Sequence, residues 1–375
     1  MSKYKGTVTS FKARRDDKKI MSKVLLFWEN SKKFQDVNLF NSWQNIYSRK
    51  HQNLTDILDR GNINECIEYF SSFYSHDSSR GFSQGPIDKN ILEQTLQQQF
   101  TKILYLFEAI HPTGYSKTEI PNVKSIKRLF SGTEDDLESI LTKLKAITKV
   151  DLGIHKKYHS SGRLSYISKN RIIFKEDWEG YLISYQLRNI IKMGISLNKR
   201  LNNNVCEIGP GNALSLVYLK NFGFDKVYAF DIPTVAVIGL WNLCRIVGPD
   251  SVFAYGEKFL FDTKFLYFPH ALFGNKSLSK YKIKFTSMIN KASFPEMGNE
   301  IASDYFLKSQ IYNCKFIYSN NYETQHKVIK LDKNEKDKFL GSASKAAEIA
   351  GWHRALRFKD WLREGFFSEL FVSSD

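Results

Sequence analysis

The most constraining feature of the sequence is a pair of short segments that each end in a turn. Residues 205–213 read VCEIGPGNA, and residues 227–233 read VYAFDIP. Both predict a buried strand, and Asp231 follows Gly209 by 22 positions. A βαβ nucleotide site has this spacing, because its glycines let the backbone approach a ligand and its later carboxylate accepts hydrogen bonds from ribose hydroxyls. The sequence therefore predicts two adjacent parallel strands at a ribose-binding site.

The residues around the glycines distinguish between the two cofactor classes that use such a site, dinucleotides and S-adenosylmethionine. A dinucleotide site has the pattern G-x-G-x-x-G/A, in which the third small residue packs the helix on the strand. Leu214 occupies that third position here. Glu207 precedes the first glycine by two residues, where it would suit an amino-acid ammonium group better than a pyrophosphate. The pattern therefore favours a zwitterionic ligand that carries a ribose.

These residues carry a resemblance to a known family. The run Glu207-x-Gly209-x-Gly211 resembles motif I of class I S-adenosylmethionine-dependent methyltransferases, with Ala213 where the family usually has a third glycine. The resemblance implies a doubly wound, mostly parallel sheet and S-adenosylmethionine as the cofactor. We expect the cofactor-binding residues at the strand ends to be Glu207, Gly209, Pro210, Gly211, Asn212, Asp231, Ile232 and Asn290.

Two later segments narrow the resemblance. Residues 289–297, INKASFPEM, and residues 316–321, FIYSNN, resemble the segments after the fourth and fifth strands in the sugar O-methyltransferase family of bacterial glycan gene clusters. The resemblance spans about residues 160–325. It implies methyl transfer to a sugar hydroxyl of a glycan, lipid-linked or nucleotide-linked precursor.

Methylation of a sugar hydroxyl benefits from a base, because the hydroxyl is a very weak acid. Glu296 is the first candidate, since it lies just past the predicted fourth strand, beside the expected methyl position. His270 and His326 are the alternatives, followed by His353. Glu296 could instead cap a helix that begins after Pro295, which would make it structural. The spacing of Cys, His and carboxylate residues predicts no metal site, although side chains from separate loops could still bind a divalent ion.

The arrangement of apolar runs divides the chain into three parts. Residues 1–150 predict a helical N-terminal region, residues 151–330 the S-adenosylmethionine-binding catalytic domain, and residues 331–375 a C-terminal helical segment packed on it. Helices alternate with strands in the central part, which indicates a doubly wound α/β sheet. The predicted strands lie near residues 204–208, 226–230, 264–268, 284–290 and 314–319.

The net charge of +16 raises the possibility of an anionic partner. Residues 1–50 carry 12 basic and 4 acidic side chains, and residues 151–200 carry 10 and 4. Of the 55 basic residues, however, 41 are Lys and 14 are Arg, whereas Arg is preferred for bidentate phosphate and base contacts. We therefore expect a solvated surface or an anionic sugar precursor rather than nucleic acid. We also expect residues 1–50 to act in substrate capture rather than in cofactor binding.

The sequence leaves two other functions open. One is an RNA or other nucleic-acid methyltransferase, although Lys291 and Ala292 follow Asn290 in place of the N-P-P-Y/F run of base-methylating enzymes. The other is a non-catalytic methyltransferase-fold binding protein. The longest early apolar run, residues 24–28, is too short to span a bilayer, and no leader precedes it. We expect a cytoplasmic protein for which peripheral membrane contact is possible; the sequence does not indicate its oligomeric state.

Overall fold

The computed structural model describes ten segments of the chain, and every structural feature below belongs to them. They are residues 7–8, 12–35, 50–79, 134–155, 164–168, 171–174, 177–197, 201–322, 341–360 and 365–373.

The helices and strands are numbered in chain order. The helices are α1 (Asp17–Ser31), α2 (Gln52–Arg60), α3 (Ile63–Ser71), α4 (Glu134–Thr148), α5 (Asp177–Leu197), α6 (Leu214–Asn221), α7 (Pro233–Val247), α8 (Phe294–Ser309) and α9 (Ala343–Ile349). The strands are β1 (Thr7–Val8), β2 (Ile154–His155), β3 (Leu164–Ser168), β4 (Arg171–Phe174), β5 (Val205–Ile208), β6 (Val227–Asp231), β7 (Val252–Ala254), β8 (Phe265–Pro269), β9 (Ser287–Lys291), β10 (Phe316–Tyr322), β11 (His353–Lys359) and β12 (Phe366–Val372).

The main sheet has eight strands in the order β11-β12-β10-β9-β5-β6-β8-β7. The six strands from β10 to β7 are parallel, whereas β12 pairs antiparallel with both β10 and β11. Strand order reverses at β5, from which the chain continues to β6 on one side and later to β9 on the other. This topology confirms the predicted doubly wound, mostly parallel sheet, and its five predicted strands correspond to β5, β6, β8, β9 and β10.

Helices cover both faces of the sheet, which explains why β5 and β6 are buried along their whole length. The helical N-terminal region is also confirmed, and α1 packs against α7. A buried ion pair joins these two helices, because Arg245 Nη1 lies 2.8 Å from Asp17 Oδ1. The N-terminal region therefore covers the outer side of the helix that follows Asp231.

A second, four-stranded sheet has the order β1-β3-β4-β2, which the sequence pattern did not predict. Its strands pair antiparallel, and Thr7 of β1 lies opposite Ser165 of β3. The N-terminal residues thus share a sheet with residues beyond the proposed boundary at residue 150.

The C-terminal region departs from the predicted helical segment over residues 331–375. Its described residues form one short helix, α9, followed by β11 and β12. The helix ends before Gly351, whose φ of +73° continues the turn out of the helix. Residues after Gly351 extend because β12 completes the backbone hydrogen bonds of β10, and β11 then pairs with β12. We therefore correct the helical prediction for residues 353–359 and 366–372.

No helix within the described residues is long and apolar enough to cross a membrane.

Candidate functional site

The turn after β5 has a left-handed backbone that glycine adopts readily. Gly209, Gly211 and Ala213 have φ values of +69°, +58° and +63°, all in the left-handed region. The Gly209 amide donates to the carbonyl of Phe230 at 2.9 Å, which ties this turn to β6. Ala213 adopts the same conformation as the glycines at a cost of about 1–2 kcal/mol. The glycine loop, residues 209–213, is therefore held in one shape against the neighbouring strand.

Asp231, at the end of β6, faces the glycine loop. Its Oδ2 atom accepts a hydrogen bond from the Gly211 amide at 2.9 Å, and its Oδ1 atom accepts one from the Ile232 amide at 2.8 Å. The residue is only 5% exposed, and burial raises the pKa of Asp231 to about 7 although both amides lower it. Each carboxylate oxygen has two lone pairs, so acceptor capacity remains for ribose hydroxyls.

Glu207 is fully buried one strand away from Asp231. The Ser215 hydroxyl lies 2.7 and 2.6 Å from its two carboxylate oxygens. Burial raises the pKa of Glu207, while the positive charge of Lys291 and the Ser215 hydroxyl lower it. The Glu207 side chain therefore connects β5 to the first turn of α6, next to the glycine loop. Its contact with an ammonium group stays a prediction.

Pro210 and Asn212 shape the glycine loop, and Ile232 lies at the start of α7. The Pro210 carbonyl accepts from the Ala213 amide at 3.0 Å, and Asn212 Oδ1 accepts from the Leu214 amide at 3.2 Å. Ile232 occupies the N-cap position of α7 and makes no side-chain capping bond. These contacts shape the loop, and direct binding of a ligand by these residues stays a prediction.

Gly239, in the middle of α7, makes the close approach of helix to loop possible. A Cβ atom at this position would lie 2.5 Å from the Gly211 carbonyl oxygen and against the Tyr267 hydroxyl. That hydroxyl is buried and has no hydrogen-bond partner among the described residues. The small residue that packs a helix against the loop is thus supplied by α7 rather than by the position of Leu214. A glycine inside the apolar run VAVIGLW was the available sequence signal.

Asn290, near the end of β9, connects four parts of the site. Its Nδ2 group donates to the Ile208 carbonyl at 3.0 Å and to Ser293 Oγ. Its Oδ1 atom accepts from the Phe294 amide at 2.9 Å and from Asn321 Nδ2 at 3.0 Å. Asn290 therefore organises the carboxyl edge of the sheet, and its contact with the cofactor stays a prediction.

Glu296 lies in the first turn of α8, beside the glycine loop. Its amide donates to the Ser293 carbonyl at 3.1 Å, and the side chain is partly exposed. Ser293 Oγ and Met297 Cε lie 2.6 and 4.0 Å from the position of a Cβ on Gly209. Since Ser293 and Met297 lie beside Gly209, the turn that contains Glu296 borders the loop. The helix then breaks at Gly298, whose φ is +78° and ψ is +164°.

The histidine alternatives lie in different places. His270 is buried directly after β8, where its carbonyl accepts from the Phe273 amide at 3.0 Å. His353 is exposed on β11, at the far edge of the main sheet. His326 lies outside the described residues. No group of three or more His, Cys, Asp or Glu residues within the described segments has the arrangement of a metal site.

The N-terminal region also reaches this site, contrary to its separation from the motif in sequence. Gln35 exchanges two hydrogen bonds with Thr234, in the first turn of α7. Asn242 Nδ2 donates to Tyr74 Oη at 3.0 Å and to the Asn212 carbonyl at 3.4 Å. The contacts of Gln35 with Thr234 and of Tyr74 with Asn242 had no sequence signal, because they join residues 199 and 168 positions apart. The expected role of residues 1–50 in substrate capture stays a prediction, although Gln35 contacts the first turn of α7.

No protein-family model and no curated protein matches the chain. The magnesium protoporphyrin IX methyltransferase of Synechocystis PCC 6803, solved with bound SAH, is 13% identical over 52% of this chain and 84% of its own, with a TM-score of 0.32. The methyltransferase domain of bacterial CtHen1-C is 12% identical over 52% and 97%, with a TM-score of 0.36. A SAM-dependent methyltransferase from Aquifex aeolicus is 16% identical over 48% and 88%, with a TM-score of 0.29. At these similarities, neither activity nor ligand is transferred to this chain.

Proposed function

We propose that the chain is an S-adenosylmethionine-dependent methyltransferase that methylates a sugar hydroxyl of a glycan, lipid-linked or nucleotide-linked precursor. The observation that carries the proposal is the contact between Asp231 and Gly211. This contact places a carboxylate at the end of one parallel strand against the glycine loop of its neighbour, at the point where the strand order reverses. Ligands of doubly wound sheets bind at this point.

The residues present fit the cofactor. Asp231 would accept the two ribose hydroxyls, and the left-handed loop of residues 209–213 would lie against the amino-acid part. Gly239 supports this fit, because it lets α7 approach the loop without filling it. The bound cofactor supplies an electrophilic methyl group on a sulfonium. The task of the chain is to align the acceptor hydroxyl with that methyl group, exclude water and accept the proton.

Glu296 is the proposed base for the hydroxyl proton. It lies in the turn whose Ser293 and Met297 side chains lie beside Gly209, and its partly exposed side chain allows an acceptor to approach. The carboxylate would take the proton as the hydroxyl oxygen bonds to the methyl carbon and the bond from that carbon to the sulfonium sulfur breaks. Glu296 belongs to the first turn of α8 rather than to the buried glycine loop. Its carboxylate is therefore able to accept the proton of the acceptor hydroxyl without contacting the ribose.

The sugar acceptor is supported by the chemistry of the same sheet edge. The ends of β9 and β10 carry Asn290, Ser319, Asn320 and Asn321, all buried. Amides and hydroxyls at strand ends suit a ligand with many hydroxyl groups, since each group offers directional hydrogen bonds. The sequence resemblance over residues 289–297 supports the same class.

Calorimetry with S-adenosylhomocysteine tests the cofactor assignment. We expect binding to the wild type and a loss of about 1.5–3 kcal/mol in Asp231→Ala, the usual value of hydrogen bonds to a charged group. Asp225→Ala is the matched control, because Asp225 is exposed at the opposite end of β6. Tighter binding of a nicotinamide dinucleotide than of S-adenosylhomocysteine would overturn the assignment.

A methyl-transfer screen tests the acceptor. Methyl-labelled S-adenosylmethionine is incubated with nucleotide sugars, glycan precursors and, in parallel, duplex and single-stranded RNA. Transfer to a sugar supports the proposal. Transfer to RNA, or nanomolar RNA binding at physiological salt, would replace the sugar acceptor with a nucleic acid.

A further inference from the structure

The carboxyl end of β10 holds a buried amide whose oxygen has no hydrogen-bond partner among the described residues. Asn320 is 1% exposed, and its Oδ1 atom lacks a donor. Its Nδ2 group donates to Ser368 Oγ at 2.8 Å and to the carboxylate of Asp360. Because buried polar groups are normally paired, this oxygen marks a place where a ligand is able to supply the missing donor.

The orientation of this amide is determined by its neighbours. The Asp360 carboxylate only accepts hydrogen bonds, so the amide nitrogen must face it. The Ser368 hydroxyl is itself bonded to Tyr318, whose hydroxyl donates to Gln186 Oε1 at 2.6 Å. Rotation of the amide by half a turn would bring its oxygen against the carboxylate. The unpartnered atom is therefore the acceptor, Oδ1, and not the donor.

The amide lies on the same face of the sheet as the cofactor motif. Lys291, Asn320 and Ser368 are direct neighbours across β9, β10 and β12. Glu207 is paired with Ile289, two residues before Lys291, and side chains two residues apart share a face. Strands are spaced about 4.8 Å apart, so Asn320 lies two strands, or about 10 Å, from the strand that bears the motif.

We propose that Asn320, Ser368 and Asp360 form an acceptor subsite that binds a sugar hydroxyl other than the one that is methylated. This inference rests on the proposed function, because it assumes a bound sugar. One hydroxyl of that sugar would lie at the cofactor, and another would lie against the sheet face that carries Asn320. Asn320 Oδ1 accepts a hydrogen bond from one hydroxyl, and the Asp360 carboxylate accepts a hydrogen bond from a second. Ser368 holds the Asn320 amide in place. Lys291 and Asp360 are partly exposed, so solvent reaches this face of the sheet at these two residues.

The chemistry of the subsite selects for hydroxyl donors. Both ligand-facing groups are hydrogen-bond acceptors, and a phosphate oxygen would meet the Asp360 carboxylate without a proton to share. An apolar acceptor would leave Asn320 Oδ1 unpaired. A ring with neighbouring hydroxyls satisfies both acceptors at once, which is why the structure points to the sugar part of a precursor rather than to its phosphates.

Binding to the protein loaded with S-adenosylhomocysteine tests the subsite. The probes are UDP-glucose, UDP-galactose and GDP-mannose, each compared with UDP or GDP alone. We expect at least one sugar nucleotide to bind more tightly than its nucleoside diphosphate. In Asn320→Leu this preference should fall about fivefold, and in Asp360→Asn about 10- to 100-fold, because the second change removes a charged acceptor.

Asn204→Leu is the matched control. Asn204 is a half-buried amide just before β5, at the opposite end of the sheet, where its Nδ2 group donates to the Lys284 carbonyl at 2.9 Å and its Oδ1 atom accepts from the Lys226 amide at 3.2 Å. Retained sugar preference in this variant, with unchanged binding of S-adenosylhomocysteine in all three, supports the subsite. The proposal is overturned if the wild type has no sugar preference or if the preference survives both Asn320→Leu and Asp360→Asn. Failure of the wild type to bind S-adenosylhomocysteine would instead remove the proposed function.

Discussion

Gln35 caps the first turn of α7 through Thr234, which lies 199 residues later in the chain. Gln35 Oε1 accepts a hydrogen bond from the Thr234 amide at 3.0 Å, and Gln35 Nε2 donates to Thr234 Oγ1 at 3.2 Å. Both residues are buried. Ile232, at the N-cap position of α7, makes no capping bond of its own. The N-terminal region therefore holds the turn that connects Asp231 to its helix.

We expect Gln35→Met to lower the affinity for S-adenosylhomocysteine severalfold and to reduce stability by about 1 kcal/mol, the usual cost of losing an N-cap. The change keeps the length of the side chain but removes both hydrogen bonds, so the turn after Asp231 loosens. Gln35→Glu should restore much of the affinity, because its carboxylate still accepts from the Thr234 amide. Ser31→Ala is the control, since Ser31 is buried but bonds to Trp28 within its own helix. Unchanged affinity in a destabilised Gln35→Met protein would limit Gln35 to a structural role.

Gly239→Ala should weaken both folding and cofactor binding. The added methyl group would press on the Gly211 carbonyl, and overpacking of this kind costs about 1–3 kcal/mol. Displacement of Gly211 also disturbs its hydrogen bond to Asp231. Gly248→Ala is the control. Gly248 lies just after α7 with a φ of +89°, and a Cβ added there would have no atom within 4 Å. Calorimetry should show lost affinity for S-adenosylhomocysteine in the first variant alone, and equal affinities would contradict the proposed close contact.

Asp231 predicts a specific dependence of stability on pH. Burial raises the pKa of Asp231 in the folded chain from an ordinary 3.8 to about 7. Between about pH 4 and pH 7 the folded state therefore holds a proton that the unfolded state has lost, so this group makes the free energy of unfolding fall as pH rises. Asp231→Asn removes this dependence. Denaturant unfolding at pH 5 and pH 8 should show that the variant gains stability relative to the wild type at the higher pH. The same difference at both values would argue against the raised pKa.

Glu296→Gln separates a base from a helix cap. A base should lose about 10²–10⁴-fold in turnover with unchanged affinity for S-adenosylhomocysteine. A cap should lose at most about 1 kcal/mol of stability and little turnover. The measurement uses the acceptor found in the methyl-transfer screen. Near-normal turnover would assign the role of base to His270 or His326, or would show that alignment of the hydroxyl is sufficient for catalysis.

The ion pair between Asp17 and Arg245 predicts a structural role for the N-terminal region. Both side chains are buried, so Asp17→Ala leaves a guanidinium without its carboxylate and should cost about 3–5 kcal/mol. Lys19→Ala, in the same helix, breaks an exposed pair with Asp250 and should cost about 0–1 kcal/mol. Chemical denaturation measures both. Equal small losses would show that α1 contributes little to the stability of the α7 packing.

Much of the central domain could be predicted because its signals are local. The strands around Cys206 and Tyr228 are buried on both faces, and such strands read as continuous apolar runs. Gly209 and Gly211 indicated a turn after the first strand, and Asp231 indicated the end of the next strand. Each signal depends on a residue and its near neighbours, so the sequence alone was sufficient to predict these elements.

The C-terminal region shows where local signals fail. Residues 353–359 have charges and apolar residues at spacings that also suit a helix, and four of the seven belong to Arg, Lys or His. They form a strand because their backbone pairs with β12. Strand β12 in turn pairs with the edge of β10 that β9 does not occupy. The free energy of backbone pairing decides such a segment, and it depends on a neighbour that the segment itself does not contain.

The sequence by itself determined the parallel strand pair, the glycine loop and the carboxylate that faces it. Only the tertiary structure decided that Gln35 caps the helix after Asp231, that Gly239 makes room for Gly211, and that Asn320 lies on the face of the cofactor motif. The physical reason is the range of the interactions. Turn conformation and strand burial are encoded within a few residues, whereas caps, close packing and shared sheet faces arise when distant segments meet.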